Sequence, residues 1–120
     1  MKILVDENCL WLSKESNRSL FEAGGYSLFA VGQAECPPKK SSDQKIIAWL
    51  KKNNSSILTS DYDDFYEHAP KDIVIFGLPC HGVFLYRADI ILKCIQNCIS
   101  TFGAKPVPPG LYVLSYYRWD

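Results

Sequence analysis

Net charge, long apolar runs and paired cysteine motifs are all missing from this sequence of 120 residues. The 13 basic and 13 acidic side chains cancel, so the overall electrostatic footprint of a nucleic-acid binder is absent and only a local patch is left open. No apolar stretch approaches the ~20 residues of a membrane span, and Met1-Lys2-Ile3-Leu4-Val5-Asp6 lacks the apolar core of a signal peptide. Cys9, Cys36, Cys80, Cys94 and Cys98 form neither a dense disulfide framework nor the CxxC pairs of a zinc ribbon. These absences predict a cytoplasmic protein with no membrane partner. Cys80-His81 has no second histidine beside a cysteine, so packing at a strand edge is the simpler reading than a metal or thiol site. Cys94 and Cys98, four apart, share one helical face and read as small buried side chains. Repeats, low-complexity segments and linkers are lacking too, so residues 1–120 read as one domain.

What is present is an ordinary globular composition, 48% hydrophobic and 22% charged, arranged as alternating strand and helix signals. Ile3-Leu4-Val5 is an apolar run ended by Asp-Glu-Asn, the pattern of a central strand buried on both faces. Leu10 to Ala23 predicts a helix stopped by Gly24-Gly25, and Tyr26 to Val31 predicts a second strand, parallel to the first. Gly32 to Lys40 is a loop near the end of strand one. Ser41 with Gln44 gives a capping-box pattern for a helix running to Asn53, with Asp43 in its first turn. Ser56 to Thr59 predicts a buried strand that releases Ser60 to Phe65 into a loop. Ile73 to Phe76 fits either a short strand or a packed loop. Val83 to Tyr86 predicts a strand, Ile90 to about Phe102 an amphipathic helix, and Leu111 to Tyr117 a last strand at an edge. The fold class expected is α/β, a three-layer sandwich around a mainly parallel sheet.

Acids then recur where such a sheet would gather them. Asp6 follows strand one, Asp43 opens a helix, and Asp61 with Asp63 or Asp64 follows a later strand. Ligands of open α/β sheets bind at the carboxyl ends of strands. Hard divalent cations such as Mg²⁺ or Mn²⁺ take carboxylate oxygen and water. Two unpaired carboxylates about 4 Å apart repel by roughly 4 kcal/mol at an effective dielectric near 20, so convergence requires a cation, a proton or a basic partner. Singly, each acid is also a good strand terminator, helix-start residue or turn residue.

The ordered set Ile3-Leu4-Val5-Asp6-Glu7-Asn8, Ser42-Asp43, Leu58-Thr59-Ser60-Asp61 with Phe65, and His81-Gly82-Val83-Phe84-Leu85 resembles the compact PIN-like proteins of the DUF5615 and Mut7-C type. Asp6-x-Asn8 is similar to the Asp-Thr-Asn opening of PIN nucleases. The resemblance covers about Met1 to Tyr86 and implies a Mg²⁺- or Mn²⁺-dependent ribonuclease, with RNA as substrate. Many small relatives act as toxins, so an antitoxin protein and a second copy of the chain are the implied partners. Asp6, Asp43 and Asp61 fall on catalytic and metal positions, and Asn8 on a supporting one. The family pattern Thr-x-Asp-x-Asp-Phe is one residue longer here, so Asp63 matches by spacing from Asp61 and Asp64 by spacing from Phe65. The helical acid of PIN nucleases has no motif match among Glu15, Glu22 and Glu35.

Two rival functions use the same residues. A PIN-like domain without cleavage would be a binding or dimerisation module. A phosphorelay receiver would use Asp6-Glu7 for Mg²⁺, Asp61 as phosphoacceptor and Lys105 as its lysine. The aromatic tail Tyr116-Tyr117-Arg118-Trp119 reads as edge-strand packing or as a surface for RNA bases.

Overall fold

Strand β1 (Lys2–Val5) is buried from Ile3 onward, as an apolar run flanked by polar residues should be when helices cover both faces. The computed structural model describes residues 1–68, 72–79 and 87–114, with the side chains of Asp64 and His68 excepted. Around β1 lie β2 (Ser27–Ala30), β3 (Ser56–Thr59), β4 (Val74–Gly77) and β5 (Gly110–Val113). Among the described residues all four pairings are parallel, and the order across the sheet is β2-β1-β3-β4-β5. The chain is thus α/β, with parallel neighbours joined by helical crossovers.

Alternation along each strand divides the core in two. Ile3, Val5, Leu58 and Phe76 face a layer with Phe21 of α1 (Glu15–Ala23) and Ile91 and Ile95 of α4 (Ala88–Ser100). Leu4, Ile57 and Ile75 face Ile46, Ile47 and Leu50 of α2 (Asp43–Lys52) and Phe65 of α3 (Tyr62–His68). Helices therefore cover both faces in three layers. The switch of crossovers from one side of β1 to the other opens a gap between the carboxyl ends of β1 and β3.

Several local expectations are corrected. The helix expected over Leu10 to Ala23 is split into a 3-10 stretch, Glu7–Ser13, and α1, with Lys14 extended between them. The hydroxyl of Ser13 donates to the Leu10 carbonyl at 2.7 Å, and the Asn17 side chain donates to the Trp11 carbonyl at 3.0 Å. Such local side-chain bonds compete with a continuous helix. The cap of α2 is Ser42, whose hydroxyl accepts from Lys45 N at 3.3 Å, while the Ser41 hydroxyl lies one residue before the cap and donates to the Pro38 carbonyl. Residues 62–65, expected in a loop, begin α3: the Asp61 carbonyl accepts from Phe65 N at 3.1 Å, and Phe65 is buried. Of the run Ile73 to Phe76, Val74 to Phe76 belong to β4, which pairs with β3 and β5 on its two sides, and Ile73 precedes it. Among the described residues β5 lies at an edge, as expected, and of the expected run Leu111 to Tyr117 the residues from Ser115 onward lie outside the described residues. The predicted strand Val83 to Tyr86, Cys80-His81 and the aromatic tail lie outside the described residues.

Gly77, the last residue of β4, sets where α3 sits. A Cβ there would stand 2.8 Å from Cγ of Tyr62 and 2.9 Å from Cδ1, closer than carbon atoms pack. The Tyr62 ring thus needs a bare α-carbon beneath it. Gly77→Ala is expected to cost about 1–3 kcal/mol, the usual penalty of overpacking. The check is the urea midpoint in the wild-type and Tyr62→Ala backgrounds. The penalty should shrink in the second, and an equal penalty in both would place its cause elsewhere.

Candidate functional site at the β1–β3 gap

The carboxyl end of β1 delivers Asp6, and its neighbour β3 delivers Thr59, fully buried. The backbone fixes Asp6 first, since its N–H donates to the Leu58 carbonyl at 3.0 Å and extends the parallel ladder by one bond. Its carboxylate is then held at both oxygens: Oδ1 accepts from Glu7 N at 2.7 Å and Oδ2 from the Thr59 hydroxyl at 2.7 Å. Each carboxylate oxygen carries further lone pairs, so Asp6 is oriented without being saturated.

Thr59 is the hub of this cluster. Its Oγ1 donates to Asp6 and accepts from Asp61 N at 3.1 Å and, at a long 3.5 Å, from Nδ2 of Asn8. Asn8 closes a second bridge between the two strand ends, its Oδ1 accepting from Ser60 N at 3.2 Å and from the Cys9 thiol at 3.1 Å. Asp6, Asn8 and the backbone of Asp61 are therefore one hydrogen-bonded unit across the gap. The Asp61 side chain is exposed at the start of α3. Asp6, Asn8 and Asp61 can be placed at this rim from sequence alone. Thr59 cannot, because its one signal is a hydroxyl at the end of an otherwise apolar buried strand.

Asp43 reaches the same end of the sheet by another route. α2 starts there because β2 ends there, and the preceding loop is tied down by Lys40 N donating to Oε1 of Glu7 at 2.7 Å. Asp43 is half-buried at the first position of α2. Asp63 is exposed in the first turn of α3, and the Asp64 side chain is not among those described. Among the described residues, no three or more His, Cys, Asp or Glu side chains form a group placed to hold a metal ion.

Compared with protein-family models, with curated proteins and with solved structures, the chain matches none. The site therefore rests on its own geometry. A competing location is less suited to chemistry. A cleft of about 540 Å³ opens at the opposite end of the sheet, lined by Lys2, Lys51, Ser55 and Asp72 among others. It lies at the amino ends of the strands, and its Lys51 and Asp72 are spent on one another at 3.1 Å. Lys105 belongs to that same end, since it precedes β5 and Gly110 opens β5 beside Val74. A receiver's lysine would have to stand at the Asp6 end, so Lys105 does not serve.

Burial pushes the thiols of Cys36 and Cys98 above the ordinary cysteine range, and none of the four described cysteines is in a disulfide. Neither shifted thiol is a nucleophile poised at neutral pH. Among the described residues, no helix is long and apolar enough to cross a membrane.

Proposed function

We propose that this protein is a PIN-like, Mg²⁺- or Mn²⁺-dependent ribonuclease, with Asp6 and Asp61 as its anchoring carboxylates, Asp43 as helper and Asn8 as support. One observation carries the reading: the β1–β3 gap, where open parallel sheets bind ligands, is built around Asp6 and the Asp61 backbone joined through Thr59. The donor set is hard oxygen, which suits a cation that keeps most of its waters and takes one or two carboxylates. A divalent ion held by Asp6 and Asp61 would supply positive charge to offset that of the phosphodiester and would acidify a bound water. The chain's own part is positional. Thr59 and Glu7 N hold the Asp6 carboxylate in one orientation, and Asn8 locks the turn after β3 to the turn after β1. The fourth acid is Asp63 or Asp64. Cysteines outside disulfides accord with a reducing cytoplasm, and a toxin paired with an antitoxin protein is the biological setting proposed.

Incubating the purified protein with mixed single-stranded RNA should give cleavage in Mn²⁺ or Mg²⁺ and none in EDTA. RNA left intact under both metals would sink the ribonuclease reading. A second reading, a PIN-like binding or dimerisation module without catalysis, draws on the lack of a three-acid group among the described residues. It predicts intact RNA together with a stable dimer or tight capture of the product of a neighbouring gene.

A further inference from the structure

The loop between β2 and α2 carries adjacent lysines, and the fold holds it rigidly beside the acids. Gly32 N donates to the Pro37 carbonyl at 2.8 Å, Trp49 Nε1 to the Glu35 carbonyl at 2.7 Å, and Ser41 N to the Pro38 carbonyl at 3.2 Å. Pro37 is buried. The last pin is Glu7, next to Asp6 in sequence, whose carboxylate accepts from Lys40 N. Lys39 is steadied too. Gly32 lies at φ +96°, and a Cβ on it would stand 3.1 Å from Cγ of Lys39 and 3.3 Å from Cε, so the lysine stem crosses a bare glycine.

Both lysines are exposed. The ion pairs among the described residues are Lys51–Asp72 and Arg87–Asp89, and neither Lys39 nor Lys40 enters one. Two lysines without carboxylate partners among the described residues thus stand on a pinned loop that is anchored to Glu7, the neighbour of Asp6, and that leads into Asp43. An RNA strand approaching this acidic rim is repelled unless cations lie along its path. Lysine ammonium groups grip phosphate as compact point charges and read no base.

We propose that Lys39 and Lys40 form a phosphate clamp that holds the backbone of single-stranded RNA beside the Asp6 site, a proposal that rests on the ribonuclease reading. Glu7 has a structural part in it: the carboxylate anchors the loop through Lys40 N, so an acidic residue strengthens the hold on a polyanion.

The test is fluorescence anisotropy of a short labelled single-stranded RNA, titrated in EDTA over a series of salt concentrations, with circular dichroism to confirm each variant folds. Each phosphate contact on a single strand contributes a log–log salt slope of about −0.7. The double variant Lys39→Gln/Lys40→Gln should flatten the slope by about 1.4. The control Lys51→Gln/Lys52→Gln removes the same charge at the far end of the sheet and should leave the slope as in wild type. Glu7→Ala should weaken binding although it deletes a negative charge, while Glu7→Gln, which keeps an oxygen acceptor for Lys40 N, should bind at least as well as wild type. An unchanged slope in the Lys39/Lys40 variant, equal flattening in the control, tighter binding by Glu7→Ala, or no RNA binding at low salt would each overturn the clamp. Cleavage is scored separately in Mn²⁺. RNA held with the expected slope and never cut sinks the ribonuclease reading and spares the clamp, whereas RNA cut with an unchanged slope does the reverse.

Discussion

Asp6→Asn and Asp61→Asn should each lower Mn²⁺-dependent RNA cleavage by about 10²–10³-fold, the scale of losing one preorganised charge-stabilising group. The two are expected to differ in what they do to the fold. Asp61 stands exposed at the start of α3, where asparagine caps as well as aspartate, so its change should lie within about 0.5 kcal/mol of wild type. Asp6→Asn costs more. With its nitrogen toward Thr59, the substituted amide would add a donor to an oxygen that already accepts from Asp61 N and leave the Thr59 hydroxyl proton without its acceptor, for about 1–2 kcal/mol. Cation binding gives a readout independent of RNA. A ligand that binds only the folded chain raises its melting temperature by mass action, so excess Mn²⁺ should stabilise wild type and fail to stabilise either variant. Equal Mn²⁺ protection in all three proteins would remove both acids from the site. Asp43→Asn belongs in the same series with a smaller effect, because its first-turn placement already gives it a helix-dipole role worth about 0.3–1 kcal/mol.

That both anchors are legible in the sequence follows from strand-end logic. A run such as Ser56-Ile57-Leu58-Thr59 has a visible start and stop, and β3 occupies those four residues. Acids just beyond such a stop land at the rim whatever the details of packing. Shorter-range choices are less legible. The capping-box pattern with Gln44 selects Ser41, whereas in the fold the Ser41 hydroxyl turns to the Pro38 carbonyl and Ser42 caps the helix. α3 has seven residues and one described buried apolar side chain besides the half-buried Tyr62, too little to print a helical period on the sequence. Asp63 and Asp64 consequently look like loop residues and belong to a helix. Ile73 to Phe76 is ambiguous because an apolar run between Pro70 and Pro79 satisfies either strand or loop, and pairing with β3 and β5 settles it. The tie between Glu7 and Lys40 spans 33 positions in sequence and has no local signature. It decides where Asp43 and the two lysines stand, so this half of the site emerges only from the folded chain.

Thr59→Val keeps the shape of the side chain and removes its hydroxyl, and it should cost about 2–3 kcal/mol in urea unfolding. The residue is fully buried, and the lost oxygen serves two groups at once. Asp6 Oδ2 loses a donor, and hydrogen bonds to charged acceptors are worth about 1.5–3 kcal/mol. Asp61 N loses its acceptor at the turn into α3. Thr59→Ser is the matched control, losing one methyl group for about 1 kcal/mol and retaining every bond. Stability alone would not separate a positioning residue from a packing one, but cation affinity does. Loss of the Thr59 bond has two opposed effects on Asp6: it leaves Oδ2 freer to meet a cation, and it releases the carboxylate to rotate away from the gap. Hydrogen-bond partners that orient a metal's carboxylate ligands typically account for about 10–100-fold in metal affinity, so the loss of orientation should prevail. Mn²⁺ protection should accordingly weaken by about that factor in Thr59→Val and stay near wild type in Thr59→Ser. If the valine variant is destabilised as expected yet binds Mn²⁺ as tightly as the serine variant, Thr59 only fills space, and the hydrogen-bonded unit across the β1–β3 gap is a device of the fold alone.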